Sequence, residues 1–434
     1  MKYYLLAGEA SGDLHGSYLM RAIQRHDPKA EFRFWGGDRM AAIGGTLVVH
    51  YKERAFMGFA EVIGNLRKIL GFISACKADI EQYQPDRLIF IDNSGFNLRI
   101  AKWAKPKGYN THYYISPQVW ASRASRVKTI KATIDRMYVV LPFVEAFYKK
   151  YNYEVHFVGH PLLDVITEEN RSSPSTLNLL PLFSRREGNP MDLQSSQKEG
   201  LAARLERRMD GESEAKKHIH KYANSQKSVE KYNEFSKKEN FKVVKENYKL
   251  IALLPGSRRQ EIKLMLPIML AAAARYPDYH YVIAQAPSQE LDLYQSVISK
   301  ASTIPPQLSI TKGATYHLLR EAHAALVTSG TATLETGLFG VPLVVCYKGS
   351  RLSYEIARRI VDVKYISLVN LVLDKPLVKE LIQNELTVKN LSEELKRILN
   401  GPDRNRILTG LQKLREVLGE KGAAERTAKL IVLG

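Results

Sequence analysis

Leu250-Ile251-Ala252-Leu253-Leu254-Pro255-Gly256-Ser257-Arg258-Arg259-Gln260-Glu261-Ile262 is the stretch from which the fold can be read. Five apolar residues stopped by Pro-Gly read as a strand buried on both faces, and Ser257 is placed to cap a helix that the next residues begin. The unit is strand, tight turn, helix. A helix N-terminus exposes unpaired N–H groups and the positive end of a dipole, so this turn can hold an anion. Arg258 adds a forked donor suited to phosphate. Many strand-to-helix turns carry Gly-Ser without a ligand, so the weight of this one comes from its surroundings.

The same unit recurs on the N-terminal side. Residues 3–7 form a short apolar strand ending in Gly8-Glu9-Ala10-Ser11-Gly12-Asp13, a turn whose small side chains let backbone approach a ligand before a helix over 14–25. Strand 31–35 ends in Gly36-Gly37, and strand 87–91 delivers Asp92 followed by Asn93-Ser94-Gly95-Phe96-Asn97. Open α/β sheets keep their chemistry at the carboxyl ends of central strands, where desolvation raises a carboxyl pKa and makes it a better base near neutrality. Capping the next helix is the other use of such an aspartate. Strand 111–115 leads through Ser116-Pro117-Gln118-Val119-Trp120 into a helix over 121–134 bearing Arg123, Arg126, Lys128 and Lys131, either a phosphate-facing set or a solvated face. Strands 137–141 and 155–158, then Gly159-His160-Pro161, close this half; His156 and His160 flank a strand and a turn, which is not metal-ligand spacing.

Beyond residue 250 the alternation repeats, with helices over 259–274, 291–301 and 315–322 between strands 280–284, 308–311 and 324–328. The last strand ends in Ser329-Gly330-Thr331-Ala332-Thr333-Leu334-Glu335, a second small, hydroxyl-rich turn at a helix start. Two such turns in one half can converge on one phosphorylated ligand. Strand 343–347 ends at Tyr347, residues 366–372 place the Asn370 amide in a loop, and helices over 391–399, 404–418 and 423–433 finish the chain.

At 434 residues the chain is too long for one ordinary core. Cys76 and Cys346 stand far apart and outside any ligand-spaced motif, which argues against a disulfide framework and for a reducing, cytoplasmic setting. The N-terminus runs straight into a strand without a secretion signal, and no segment has the uncharged length needed to span a bilayer. A formal net charge of +19 calls for an anionic partner. Without zinc-finger spacing, an RNA-recognition signature or basic residues interleaved with aromatics, nucleic acid is disfavoured, leaving an anionic membrane surface or an anionic small substrate. Residues 56–76 place Phe59, Val62, Ile63, Leu66, Ile69, Leu70 and Ile73 at helical spacing, a face that either covers the sheet or meets lipid. Residues 171–247 break the rhythm and read as a charged insertion or linker, at least partly disordered.

Six ordered motifs, Gly8 to Asp13, Asp92 to Asn97, Ser116 to Ala121, Leu253 to Glu261, Ser329 to Glu335 and Ser367 to Leu371, together resemble those of the bacterial lipid-A-disaccharide synthases over nearly the whole chain apart from the insertion. The resemblance implies an α/β protein of the GT-B fold, two Rossmann-like domains whose parallel sheets face a central cleft. It divides the chain into an acceptor-binding domain over 1–166, the insertion over 167–247, a UDP-sugar-binding domain over 248–415, and a terminal helix over 416–434 that packs back on the first domain. It implies an inverting glycosyltransferase that moves 2,3-diacylglucosamine from UDP to the 6-hydroxyl of 2,3-diacylglucosamine 1-phosphate, with Asp92 as general base and with neither metal nor cofactor. Gly256, Ser257, Arg258, Glu261, Ser329, Gly330, Thr331, Ala332, Glu335, Tyr347 and Asn370 are the implied UDP-sugar contacts; Glu9, Ser11, Gly12, Asn97, Gln118, Trp120 and Arg123 are the implied acceptor contacts. The expected setting is the cytoplasmic face of a Gram-negative inner membrane, with peripheral attachment to its anionic surface, no nucleic acid, and a homodimer allowed. Two departures from the family pattern stand out: Gly95 occupies the position where a second aspartate often follows the first, and the insertion is long. Rival readings are a UDP-N-acetylglucosamine 2-epimerase-like enzyme of the same fold and a non-catalytic nucleotide-binding protein at the membrane.

Overall fold

The computed structural model describes residues 1–54, 66–122, 124–172, 177, 179–181, 249–349 and 364–434. Its first half contributes β1 (Lys2–Ala7), β2 (Glu31–Gly36), β3 (Thr46–His50), β4 (Arg87–Ile91), β5 (Thr111–Tyr114), β6 (Arg136–Val139) and β7 (His156–Phe157). These form one parallel sheet in the order β3-β2-β1-β4-β5-β6-β7. The second sheet is built from β8 (Leu180–Pro181), β9 (Leu250–Leu254), β10 (His280–Gln285), β11 (Leu308–Lys312), β12 (Ala322–Thr328), β13 (Leu343–Tyr347) and β14 (Glu380–Ile382), in the order β14-β13-β12-β9-β10-β11-β8. Central strands such as Tyr3–Ala7 and Ile251–Leu253 are buried throughout, as strands covered by helices on both faces must be.

The strand order of each sheet reverses once. In the first, β1 pairs with β2 on one side and β4 on the other, so the turns after Ala7 and Ile91, which are partners in register, emerge side by side. In the second, β9 pairs with β10 and β12, and Leu254 lies opposite Val327. Open α/β sheets form their binding crevice at such reversals. Gly8 and Asp92 thus share one crevice edge, and the turns at Gly256 and Ser329 share the other.

Several local expectations change. The small-residue turn 8–13 is already helical from Ala10, in a helix Ala10–His26. The helix expected over 121–134 is broken into Val119–Ser122, the 3-10 turn Ala124–Arg126 and Val127–Thr133. Asn370 is not in a loop; it lies in the helix Leu368–Leu373, capped by the Ser367 hydroxyl, which accepts from Asn370 N–H. Strands β3 and β14 lacked a clear sequence signal, since both are short strands at sheet edges. The second sheet is not wholly parallel, because β8, within the stretch read as a linker, pairs antiparallel with β11. The rest of that stretch beyond residue 181 up to 248 lies outside the described residues, as does 55–65 of the apolar face at 56–76. Within that face, Ile73 and Cys76 are buried and Leu70 is exposed.

The helix Ala423–Leu433 returns to the first sheet. Asp164 accepts from the N–H groups of Gly422 and Ala424, capping it, while Arg87 and Arg136 donate to the carbonyls of Ile431 and Leu430 near its end. Its Arg426 donates to Val158 O at 2.8 Å and lies over Gly159, where φ is +82° and an added Cβ would come within 2.5 Å of the guanidinium. The loop leading to His160 is therefore pinned from the chain's far end.

Candidate active site in the interdomain cleft

Asp92 leaves β4 with φ of 47°, followed by Asn93 at 43°. Left-handed backbone at non-glycine residues costs roughly 1–3 kcal/mol each, so the surroundings must hold it. They do so at the Asp92 carbonyl, which accepts from the Asn97 amide at 2.8 Å and from the Tyr113 hydroxyl. The same Asn97 Nδ2 reaches Leu6 O at 3.3 Å and Ile91 O at 3.2 Å, fastening the ends of β1 and β4 together. Gly8 has to be glycine for a related reason: a Cβ there would lie 1.9 Å from Asn93 Nδ2. Asn97 is itself 1% exposed. Its amide nitrogen serves the turn that presents Asp92.

The Asp92 carboxyl is pushed up to about 6, mainly by burial and secondarily by the negative charge of Glu9, with the Asn93 N–H acting in the other direction. It opens into a cavity of about 90 Å³. One wall belongs to the first half of the chain, with Ser11, Gly12, His15, Ile115, Ser116, Gln118 and His160; the other carries Thr331, Leu334, Glu335 and Leu368. Burial also raises the Glu335 carboxyl, whose Oε1 accepts from the Tyr316 hydroxyl at 3.2 Å. Ile115 sits at φ 62°, an unfavourable value for a β-branched residue and a second point of backbone strain on this cavity.

Of the expected residues, Ser11, Gly12, Asp92, Gln118, Thr331 and Glu335 converge here. Glu9 is exposed at the N-cap of the first helix and acts on Asp92 through its charge. Trp120 packs edge-on against Phe143 with centroids 4.8 Å apart, and Arg123 lies outside the described residues. Tyr347 ends β13 and is not among the residues lining the cavity, and Ala332 is half-buried in the helix Thr331–Leu338. Ser329 donates to Ile366 O at 3.1 Å, while Gly330, at φ 153°, opens that helix.

The opening stretch needs one correction. The helix Arg259–Ala273 is capped not by the Ser257 hydroxyl but by Glu261, whose Oε2 accepts from the N–H groups of Ser257 at 3.1 Å and Arg258 at 3.2 Å. A carboxylate three residues inside a helix reaches these orphan donors readily, so the protein's own side chain already fills this anion seat. Gly256, at φ 112°, permits the turn; a Cβ there would meet Glu261 Oε2 at 2.6 Å. Arg258 is mostly exposed and only loosely paired with Glu261, at 3.4 Å. Asn370 is engaged within the second domain. Its Nδ2 donates to Val378 O and Glu380 Oε1, each at 2.9 Å, and its Oδ1 accepts from Val378 N–H at 3.0 Å, so its amide is spent inside the second domain beside a separate cavity of about 300 Å³. Asp13, in the first small-residue motif, also serves the fold, accepting from the N–H groups of Gly37, Arg39 and Met40.

His15 and His160 were missed as site residues. His15 follows Ser11 by four positions on one helix, the spacing that puts both on one face, and that signal was available in the sequence.

The chain matches the family described as lipid-A-disaccharide synthetase over residues 3–181 and 224–432. It is 37% identical over 429 residues to a lipid-A-disaccharide synthase of Syntrophus aciditrophicus (strain SB), covering 98% of this chain and 95% of that protein. Against the synthase of Geobacter metallireducens the identity is 34%, covering 99% and 96%. A solved UDP-GlcNAc 2-epimerase from Methanocaldococcus jannaschii, in complex with UDP-GlcNAc and UDP, superposes with TM-score 0.56 at 11% identity over all of both chains. The glycotransferase of kitacinnamycin gives TM-score 0.55 at 13% identity, covering 99% of this chain and 97% of that one. At such identities these two structures speak for the fold alone.

Proposed function

Because the chain belongs to the lipid-A-disaccharide synthase family, we propose that Asp92 is the general base of its sugar transfer and that the cavity beside it is where the acceptor hydroxyl is activated. The enzyme is a glycosyltransferase that joins 2,3-diacylglucosamine from its UDP derivative to the 6-hydroxyl of 2,3-diacylglucosamine 1-phosphate, releasing UDP. The observation that carries the assignment of Asp92 is its position: a buried carboxyl at the reversal point of the first sheet, facing the second domain across the cleft. Inversion at the anomeric carbon is a single displacement. One carboxylate taking the hydroxyl proton suffices, with no covalent sugar intermediate.

As the bond to the sugar breaks, negative charge grows on the UDP diphosphate. With Glu261 on the N–H groups of Ser257 and Arg258, the turn Ser329-Gly330-Thr331 is the better diphosphate seat, and the exposed Arg258 can leave its weak pairing to supply positive charge. Arg258→Ala should therefore raise the KM for the UDP-sugar about tenfold, the equivalent of about 1.4 kcal/mol, without altering acceptor KM. Initial rates at varied donor and acceptor test this; equal donor KM in variant and parent removes Arg258 from the pocket.

A base with its pKa near 6 also sets the pH response. Protonation disables it, so kcat/KM should fall tenfold per pH unit well below pH 6 and level off above about pH 7. A rate profile with its acid limb near pH 4 would assign an unperturbed carboxyl instead.

Residues 1–166 are taken as the acceptor-binding domain, 248–415 as the donor-binding domain and 416–434 as the segment returning to the first. Peripheral attachment to the cytoplasmic face of the inner membrane is supported by the acylated substrates and the formal net charge of +19. Among the described residues no helix is long and apolar enough to cross a membrane. A homodimer is compatible with this arrangement.

A further inference from the structure

The cleft holds two imidazoles to which the transfer described above gives no task. His15 and His160 are 8% and 7% exposed, and both line the cavity with Asp92. They come from separate elements, the first helix and the pinned Gly159-His160-Pro161 loop, and a charge on His15 would bear on His160. His160 Nδ1 accepts from the Leu162 N–H at 3.3 Å, which fixes the tautomer with its proton on Nε2. His15 Nδ1 is buried with no hydrogen-bond partner among the described residues.

We propose that His15 and His160 form a neutral imidazole pair that binds hydroxyl groups of the acceptor sugar and positions the reacting one toward Asp92. Burial lowers both rings, to about 4 and about 3, so they are uncharged at neutral pH. A neutral imidazole can give an N–H to a hydroxyl oxygen or a lone pair to a hydroxyl proton; His160, whose Nδ1 already accepts from Leu162 N–H, is left with its Nε2–H to donate. The cavity's other contents favour this ligand over phosphate. It contains the carboxyls of Asp92 and Glu335, and among the described residues that line it there is no lysine or arginine. An anion would be repelled there, whereas a hydroxyl would not. Uncharged rings also leave Asp92 its raised pKa, since a cation alongside would lower it and weaken the base. Both rings stand on the wall formed by the first half of the chain, which commits the pair to the acceptor and not to the UDP-linked sugar.

The inference rests on the reading of the cleft as the transfer site, and its readout is separate from the identity of the base. His15→Leu and His160→Leu, made in full-length protein with Asp92 intact, should each raise acceptor KM tenfold or more while donor KM and the affinity for UDP stay within twofold. His15→Gln and His160→Gln, which keep hydrogen-bonding atoms, should return acceptor KM to within about threefold of the parent. A urea unfolding transition matching the parent's shows that each variant is folded. With 2,3-diacylglucosamine lacking its 1-phosphate as acceptor, the leucine variants should show the same fold-increase in KM. An increase that vanishes with this acceptor makes the pair a phosphate site, and one shared with donor KM places it on the other sugar; either overturns the proposal. So does a glutamine variant no better than its leucine counterpart, which would make the rings packing elements. Activity surviving in Asp92→Ala would remove the base assignment while leaving the histidine KM result standing.

Discussion

Asp92→Ala loses transfer by a factor of about 10² to 10⁴, the usual contribution of a positioned general base, while UDP binding stays within twofold. The asymmetry follows from placement. Asp92 follows β4 in the first sheet, and the proposed diphosphate seat follows β12 in the second. Removing the carboxylate leaves the acceptor hydroxyl with its proton as the bond to UDP breaks, a loss felt in the transition state and not in nucleotide binding. Asp92→Asn should fail almost as badly, because it keeps the shape of the side chain but cannot accept the proton. Mass spectrometry of the lipid product gives the rate, and calorimetric titration with UDP gives the affinity. Full activity in either variant removes Asp92 from the mechanism. No carboxylate stands three residues on to take over, since Gly95 occupies that position.

The second large effect is expected at Asn97, through both stability and rate. Asn97→Leu removes the amide that serves the carbonyls of Leu6, Ile91 and Asp92 and leaves these groups short of a donor in a buried place. The Asp92 carbonyl keeps the Tyr113 hydroxyl, and one buried polar group left unsatisfied costs about 1–3 kcal/mol, so a loss of that size in unfolding free energy is expected. The left-handed turn at Asp92 and Asn93 loses part of what holds it, and kcat should fall with acceptor KM little changed. Urea unfolding and initial rates separate this positioning role from the acceptor contact expected from sequence. The contact predicts the opposite pattern, with higher acceptor KM and unaltered stability.

Asn97 and Asn370 show why part of the site was not legible in the chain. An asparagine in a ligand-side motif can equally contact a substrate or satisfy a strained turn, and residue type with spacing is the same in both cases. What separates them is which acceptors the amide reaches, and for Asn370 these are the Val378 carbonyl and the Glu380 carboxylate, eight and ten residues further along. Glu261 is a case where the local rule was available and another was preferred. A glutamate three positions into a helix caps as readily as a serine before it, and here it takes the N–H groups that Ser257 and a phosphate were expected to share. His15 and His160 are more remote from one another than any local pattern reaches.

The sequence by itself determined the alternation of buried strands and helices, the two small-residue turns and the family, because these depend on local apolar runs, turn residues and ordered motifs. It also placed Asp92 at the end of a central strand. Only the tertiary structure decided the strand orders, and with them which turns share a crevice; parallel pairing joins segments far apart in the chain, such as Ala7 with Ile91 and Leu254 with Val327. It likewise decided which polar side chains remain open to a ligand. A hydrogen bond is spent or free according to its neighbours in space, and that accounting closes only once the chain is folded.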